Sequence, residues 1–162
     1  MKRFFAVALL FTVSACGGSL YAPVDNQQGG GSLELSYGPC FGTCPVFSVT
    51  LDDAGGLTYE GQRNVSVLGR EQRQLGSSVF WDAVLLIDSV PPSELVDPIE
   101  CPRRHTDAKA VYGTLKTATH DIEIHHYYGC NGYEYRARQV AIIRELTDLL
   151  QIDDLVGWLS SK

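Results

Sequence analysis

Two cysteines four residues apart, Cys40 and Cys44, stand in the stretch GPCFGTCPVFSV with Pro45 directly behind the second. Thiols at that spacing can hold a soft metal, cycle between thiol and disulfide, or close a structural loop. Soft sulfur together with imidazole suits Cu(I), and the chain carries four histidines, His105, His120, His125 and His126. A second candidate set lies at Cys101-Pro102-Arg103-Arg104-His105-Thr106-Asp107, where thiol, base and acid share one segment and the arginines would lower a thiol pKa. Sequence neighbours do not make a spatial triad, however, and an oxidised Cys101 would be inert. In His120 to Tyr128 a strand period puts Asp121, Glu123, His125 and Tyr127 on one face, and His120, Ile122, Ile124 and His126 on the other. Glu123 and His125 could then meet a divalent ion, or simply form the wet face of a half-exposed sheet; the wet face is the expectation. Arg103-Arg104 could grip a carboxylate or phosphate, but reads better as solvated loop charge. There is no G-x-S-x-G, no phosphate-binding glycine loop and no H-E-x-x-H. No catalytic residue is assigned.

The N-terminus says where these groups work. Met1, Lys2 and Arg3 precede an apolar run from Phe4 to Val13. Such a run is too short for about 30 Å of hydrocarbon, which takes about 20 residues, but it fits the apolar region of a secretory signal. Val13-Ser14-Ala15-Cys16 resembles the lipobox of bacterial lipoproteins. That resemblance implies a signal peptide at 1–15, cleavage before Cys16 and a lipid on its sulfur. With Gly17 rather than Asp next, it implies an outer-membrane anchor facing the periplasm. Lipidation of Cys16 also makes the cysteine count even: of five, Cys40, Cys44, Cys101 and Cys130 remain, in an oxidising compartment where disulfides persist.

Composition narrows the partners. The 162-residue chain has a net charge of −6, and removing Lys2 and Arg3 makes it more acidic. With no basic run there is no electrostatic case for nucleic acid. The expected partners are the membrane, through the lipid, and an envelope protein; no cofactor is expected, with copper as the alternative.

These residues need elements to position them. Residues 16–32, rich in Gly, Ser, Asn and Gln, read as a tether, and a single domain follows over 33–162. Alternation at Leu33, Leu35 and Tyr37, and again at Phe47, Val49 and Leu51, predicts strands. Asp52-Asp53-Ala54-Gly55-Gly56 predicts a hairpin turn into 57–61, with a further strand over 64–69. Val79, Phe80, Ala83, Leu86, Ile87 and Val90 fall at helical spacing, with Ser77 or Ser78 as cap and Pro91-Pro92 as stop. Residues 91–107 form a loop, and strands follow over about 109–116 and 119–128. Asn131 and Glu134 have the spacing of a capping box for a helix that buries Val140, Ile143, Leu146 and Leu150. A short last helix from Asp153 carries Leu155, Trp158 and Leu159. The order predicts an α+β fold: a mostly antiparallel sheet of five to six strands, with two main helices and a short C-terminal helix on one face.

The stretch YGPCFGTCPVFSVTLDDAGGLTYEG resembles the family catalogued as domain of unknown function 6438, from bacterial secreted proteins and lipoproteins. Its pattern is C-x-G-x-C-P, a hydrophobic strand and a glycine-bearing hairpin leading to Y-x-G. Here these are Cys40, Gly42, Cys44, Pro45, Phe47 to Leu51, Gly55-Gly56, Tyr59 and Gly61. Thr106-Asp107 and Trp158 fit its later part. The family implies a fold and a location, but no reaction. C-x3-C-P also resembles the motif of the copper-assembly proteins that serve cytochrome oxidase, which implies Cys40 and Cys44 with a distant histidine, His125 among the candidates. There, however, the motif opens a helix, whereas Val46 to Leu51 alternates as a strand. Four cysteines allow three pairings and the spacing does not choose among them. The family pattern favours Cys40 with Cys44, and Cys101 with Cys130, as staples.

Overall fold

The computed structural model describes residues 30–157. The segment expected as a signal peptide, Cys16, most of the expected tether and Trp158 lie outside the described residues. Eight strands and three helices follow in chain order: β1 (Ser32–Tyr37), β2 (Val46–Asp52), β3 (Gly56–Arg63), β4 (Gly69–Gln74), α1 (Ser77–Asp88), β5 (Arg103–Arg104), β6 (Ala110–Lys116), β7 (Asp121–Tyr127), β8 (Cys130–Asn131), α2 (Arg136–Leu149) and α3 (Asp153–Val156). A 3-10 turn, Pro92–Glu94, follows α1. Six strands make one sheet in the order β4-β3-β2-β1-β6-β7, every neighbour antiparallel, while β5 and β8 form a separate short pair. This is an α+β fold, as the alternation and the helical periods predict.

The period-2 pattern decides which face is buried. Leu33, Leu35 and Tyr37, then Phe47, Val49 and Leu51, then Leu57 and Tyr59, then Val111 and Leu115, and finally Ile124 turn inward. There they join Phe80, Ala83 and Ile87 of α1, Ile142, Ile143 and Leu146 of α2, and Leu155 and Val156 of α3 in one core. Tyr37, Phe47 and Tyr59 stack in sequence across β1, β2 and β3, with ring centroids 4.5 and 5.6 Å apart. The opposite face of the sheet carries Glu34, Ser36, Ser48, Thr50, Tyr112, Thr114, Glu123 and His125, none of them buried.

Four local expectations are corrected. The strand expected at 64–69 lies instead at Gly69–Gln74, paired with β3 from Gly61 opposite Gly69. Asn64 takes a left-handed conformation that ends β3, and the amides of Ser66 and Val67 bond to the carbonyls of Val156 and Leu155. Those residues are thereby held by α3 rather than by the sheet. Ser77 and Ser78 do not cap α1: Gly76 is the N-cap, with no side-chain bond. Nor do Asn131 and Glu134 form a capping box. Asn131 pairs with Arg103 in the β5–β8 ribbon, and α2 starts at Arg136 with Tyr135 as N-cap. The fold also reaches further upstream than residue 33, because β1 starts at Ser32 and buried Gly31 donates its amide to Asp53 Oδ2 at 2.9 Å. Among the described residues no helix is long and apolar enough to cross a membrane.

Candidate functional site

The open face of the sheet carries a groove of about 620 Å³ over β1, β6 and β7. Strand register determines its walls. Glu34 pairs with Thr114, and Thr114 with Glu123, so two carboxylates flank one hydroxyl in a single cross-strand row. The next row runs Ser36, Tyr112, His125. Tyr112, 53% exposed, stacks on the His125 ring at 4.8 Å. Val96 closes the outer side. The carboxylates stand two strand spacings apart, roughly 10 Å between Cα positions. Among the described residues neither Glu34 nor Glu123 has a hydrogen-bond or ion-pair partner for its carboxylate.

Val96 is held where it is by a second constellation on the buried side. The segment Leu95 to Asp97 runs parallel to the free edge of β7, with His125 N–H donating to Leu95 O at 2.9 Å and Asp97 N–H donating to His125 O at 3.0 Å. The Asp97 carboxylate accepts from the backbone N–H of Tyr127 at 2.6 Å, from His126 Nδ1 at 3.0 Å and from the Tyr133 hydroxyl at 2.9 Å. Tyr133 also reaches Gln139 Oε1, and Gln139 Nε2 donates back to His125 O at 3.0 Å. His126 is fully buried, and Asp97 nearly so. Burial pushes the His126 pKa below its ordinary value, with the Asp97 carboxylate pulling the other way. Burial, and then Asp97, push the Tyr133 hydroxyl up. Both shifts favour the uncharged forms of the two side chains. Among the described residues His126 Nε2 has no hydrogen-bond partner, and through Asp97 the Asp–His pair ties the Leu95–Asp97 segment to β7 as a latch.

The cysteines meet in two pairs, Cys40 with Cys44 and Cys101 with Cys130, each with its sulfurs at bonding distance. Cys40 and Cys44 bracket a turn in which Gly42 has φ of 137°, a backbone setting that favours glycine. Phe41 stands almost fully exposed at its tip. Cys101 and Cys130 tie the loop after α1 to β8. Of the candidate nucleophile set, Cys101 is held by Cys130. The His105 backbone bonds to Gly129 and to the Tyr127 hydroxyl, and the Asp107 carboxylate accepts from Thr106. Among the described residues no group of three or more His, Cys, Asp or Glu converges as a metal site. His125 is taken up by Tyr112, His126 by Asp97 and His120 by Asp88. Arg103 and Arg104 form β5, with the Arg104 guanidinium 5.3 Å from the Tyr127 ring centre.

The alternation in β7 correctly put Glu123 and His125 on one face and His126 on the other. Glu34, Tyr112 and Thr114 join the groove only once the order of the strands is known. Asp97, Tyr133 and Gln139 have no signal beyond ordinary loop and helix composition, because the bonds that join them run across sequence separations of up to 36 residues. Residues 31–147 match the model of a family described as a domain of unknown function (DUF6438). No curated protein matches the chain.

Proposed function

The chain belongs to the DUF6438 family, and on that premise we propose a lipid-anchored cell-envelope protein that binds a partner rather than transforming a substrate. Cys16 carries the lipid, the segment between it and the folded domain forms the tether, and the anchor sits in the outer membrane facing the periplasm. The observation that carries the binding role is the open sheet face. All three helices contribute to the core on the other side, which leaves a groove of about 620 Å³. That size falls in the range of ligand-holding clefts. The two cysteine pairs act as staples: one stiffens the turn ahead of β2, the other anchors the loop that delivers Val96.

Two experiments test this. A Cys16→Ser variant should leave the membrane fraction and lose palmitate label; retention in the membrane would refute the anchor. A photo-crosslinker at position 112 should give a discrete adduct in intact envelopes, and one at Trp81, on the exposed side of α1, should not. The reverse pattern would refute the open-face reading. A thiol-based copper or redox role for Cys40 and Cys44 is the rival, and it rests on one observation: their turn is exposed at its tip, within reach of a redox partner. Trapping of free thiols in the native envelope separates the two, since a staple stays fully oxidised and a working pair does not.

A further inference from the structure

The groove's chemistry specifies what fits it. We propose that its occupant is an arginine side chain presented by a peptide segment of the partner protein. This rests on the open face being the binding surface and adds the ligand class. Three observations carry it. The charges are complementary: Glu34 and Glu123 stand in one row with Thr114 between them, and among the described residues neither carboxylate is paired. The donor set is sparse: among the described residues no third acidic, imidazole or thiol group converges with the two carboxylates as a metal site would need, whereas a pair on either side of one hydroxyl suits a planar cation that hydrogen-bonds on two sides. The third is a stacking platform: the exposed Tyr112 ring lies against His125 in the adjacent row, and a guanidinium stacks on such a ring where an ammonium only approaches it.

A cleft of similar volume between α1 and α2 offers a contrast. It is lined by Asp82, Glu145 and Asp148 and contains no aromatic side chain. Acid alone is thus not distinctive on this chain, and the pairing of acid with an exposed ring is what selects the sheet groove.

The test uses the full chain in detergent micelles and three blocked pentapeptides, Gly-Gly-Arg-Gly-Gly and its citrulline and lysine analogues, followed by amide NMR. The arginine peptide should shift the amides of Tyr112, Thr114 and His125 in a saturable way. The Glu34→Gln/Glu123→Gln variant should bind about two- to thirtyfold more weakly, the sum of two exposed charge contacts. An Asp82→Asn/Glu145→Gln variant, which removes the same charge elsewhere, should bind as the wild type does. Lysine should bind more weakly and citrulline weakest. If citrulline binds as well as arginine, or if the two charge variants behave alike, the arginine inference is overturned. If none of the peptides perturbs the groove while position 112 still crosslinks to a partner in envelopes, this inference fails and the open-face reading survives. Failure of both assays removes both.

Discussion

Replacing Asp97 with alanine should weaken the fold and open the groove together. One donor loses its acceptor outright, the Tyr127 amide, 2.6 Å from Oδ2. His126 Nδ1–H, in a fully buried ring, exchanges a charged acceptor for the neutral Tyr133 hydroxyl at 3.1 Å, while Tyr133 keeps Gln139. A stranded donor costs about 1–3 kcal/mol and the exchange of a charged for a neutral acceptor about 1 kcal/mol, so the expected loss is about 2–4 kcal/mol, a large part of a typical domain's stability. Asp97→Asn should cost about half as much. It retains one oxygen for Tyr127 and can donate to His126 Nδ1 if the ring proton moves to Nε2, at the expense of leaving that proton buried. The assay is urea unfolding at pH 7 under non-reducing conditions, with amide exchange read at Asp97 and His125, whose N–H groups bridge the segment to β7. Exchange at both should speed up in each variant, more in alanine. An alanine variant within about 1 kcal/mol of the wild type, with exchange unchanged, would refute the latch. Because Val96 is both next to Asp97 and a wall of the groove, the same variants should also weaken arginine-peptide binding.

Other expectations follow from the same geometry. The His126 pKa lies below its ordinary value near 6.5. The unfolded chain therefore binds the proton first as pH falls, and stability should drop below about pH 6.5, by at most about 1.4 kcal/mol per pH unit until the folded-state pKa is passed. A flat unfolding midpoint between pH 7 and pH 5 would contradict this. Breaking Cys101–Cys130, 29 residues apart, should cost about 3.6 kcal/mol in the loop-entropy picture, and breaking Cys40–Cys44, four apart, about 2 kcal/mol. Urea midpoints of the two double-serine variants should rank in that order. At Gly113 a Cβ would come within 2.6 Å of Leu35 Cδ2 and 2.7 Å of Glu34 O. Gly113→Ala should therefore lower the unfolding midpoint clearly, by about 1–3 kcal/mol, whereas Tyr112→Ala, at an exposed position on the same strand, should leave it within about 1 kcal/mol and show its effect in binding.

What was legible in the sequence follows from the range of the forces involved. Strands with one buried face announce themselves by alternation, as β1, β2 and β7 do. The helix α1 does so by the spacing of Phe80, Ala83 and Ile87. The edge strand β4, GREQRQ, buries nothing and carries charge along its length, as exposed edges often do. Its sequence therefore shows no period, and the strand was placed too early, on the more apolar 64–69. The missing caps have a similar cause: the β5–β8 pairing holds Asn131, so α2 starts downstream of the segment that looked like its cap. The site was legible only within single strands. Glu123 and His125 share a face by local period, but their neighbours Glu34 and Tyr112 depend on β1 and β6 lying side by side, a contact between segments far apart in the chain.

The most direct measurement of the central claim is crosslinking from position 112 in intact envelopes, with the groove free and with it blocked by Thr114→Arg. Thr114 lies between Glu34 and Glu123, so an arginine there would pair with both and occupy the space itself. The expected result is a discrete adduct from the free groove that disappears in the blocked variant while the unfolding midpoint holds. An adduct of undiminished yield in the Thr114→Arg background, or no adduct from the free groove, would contradict the account.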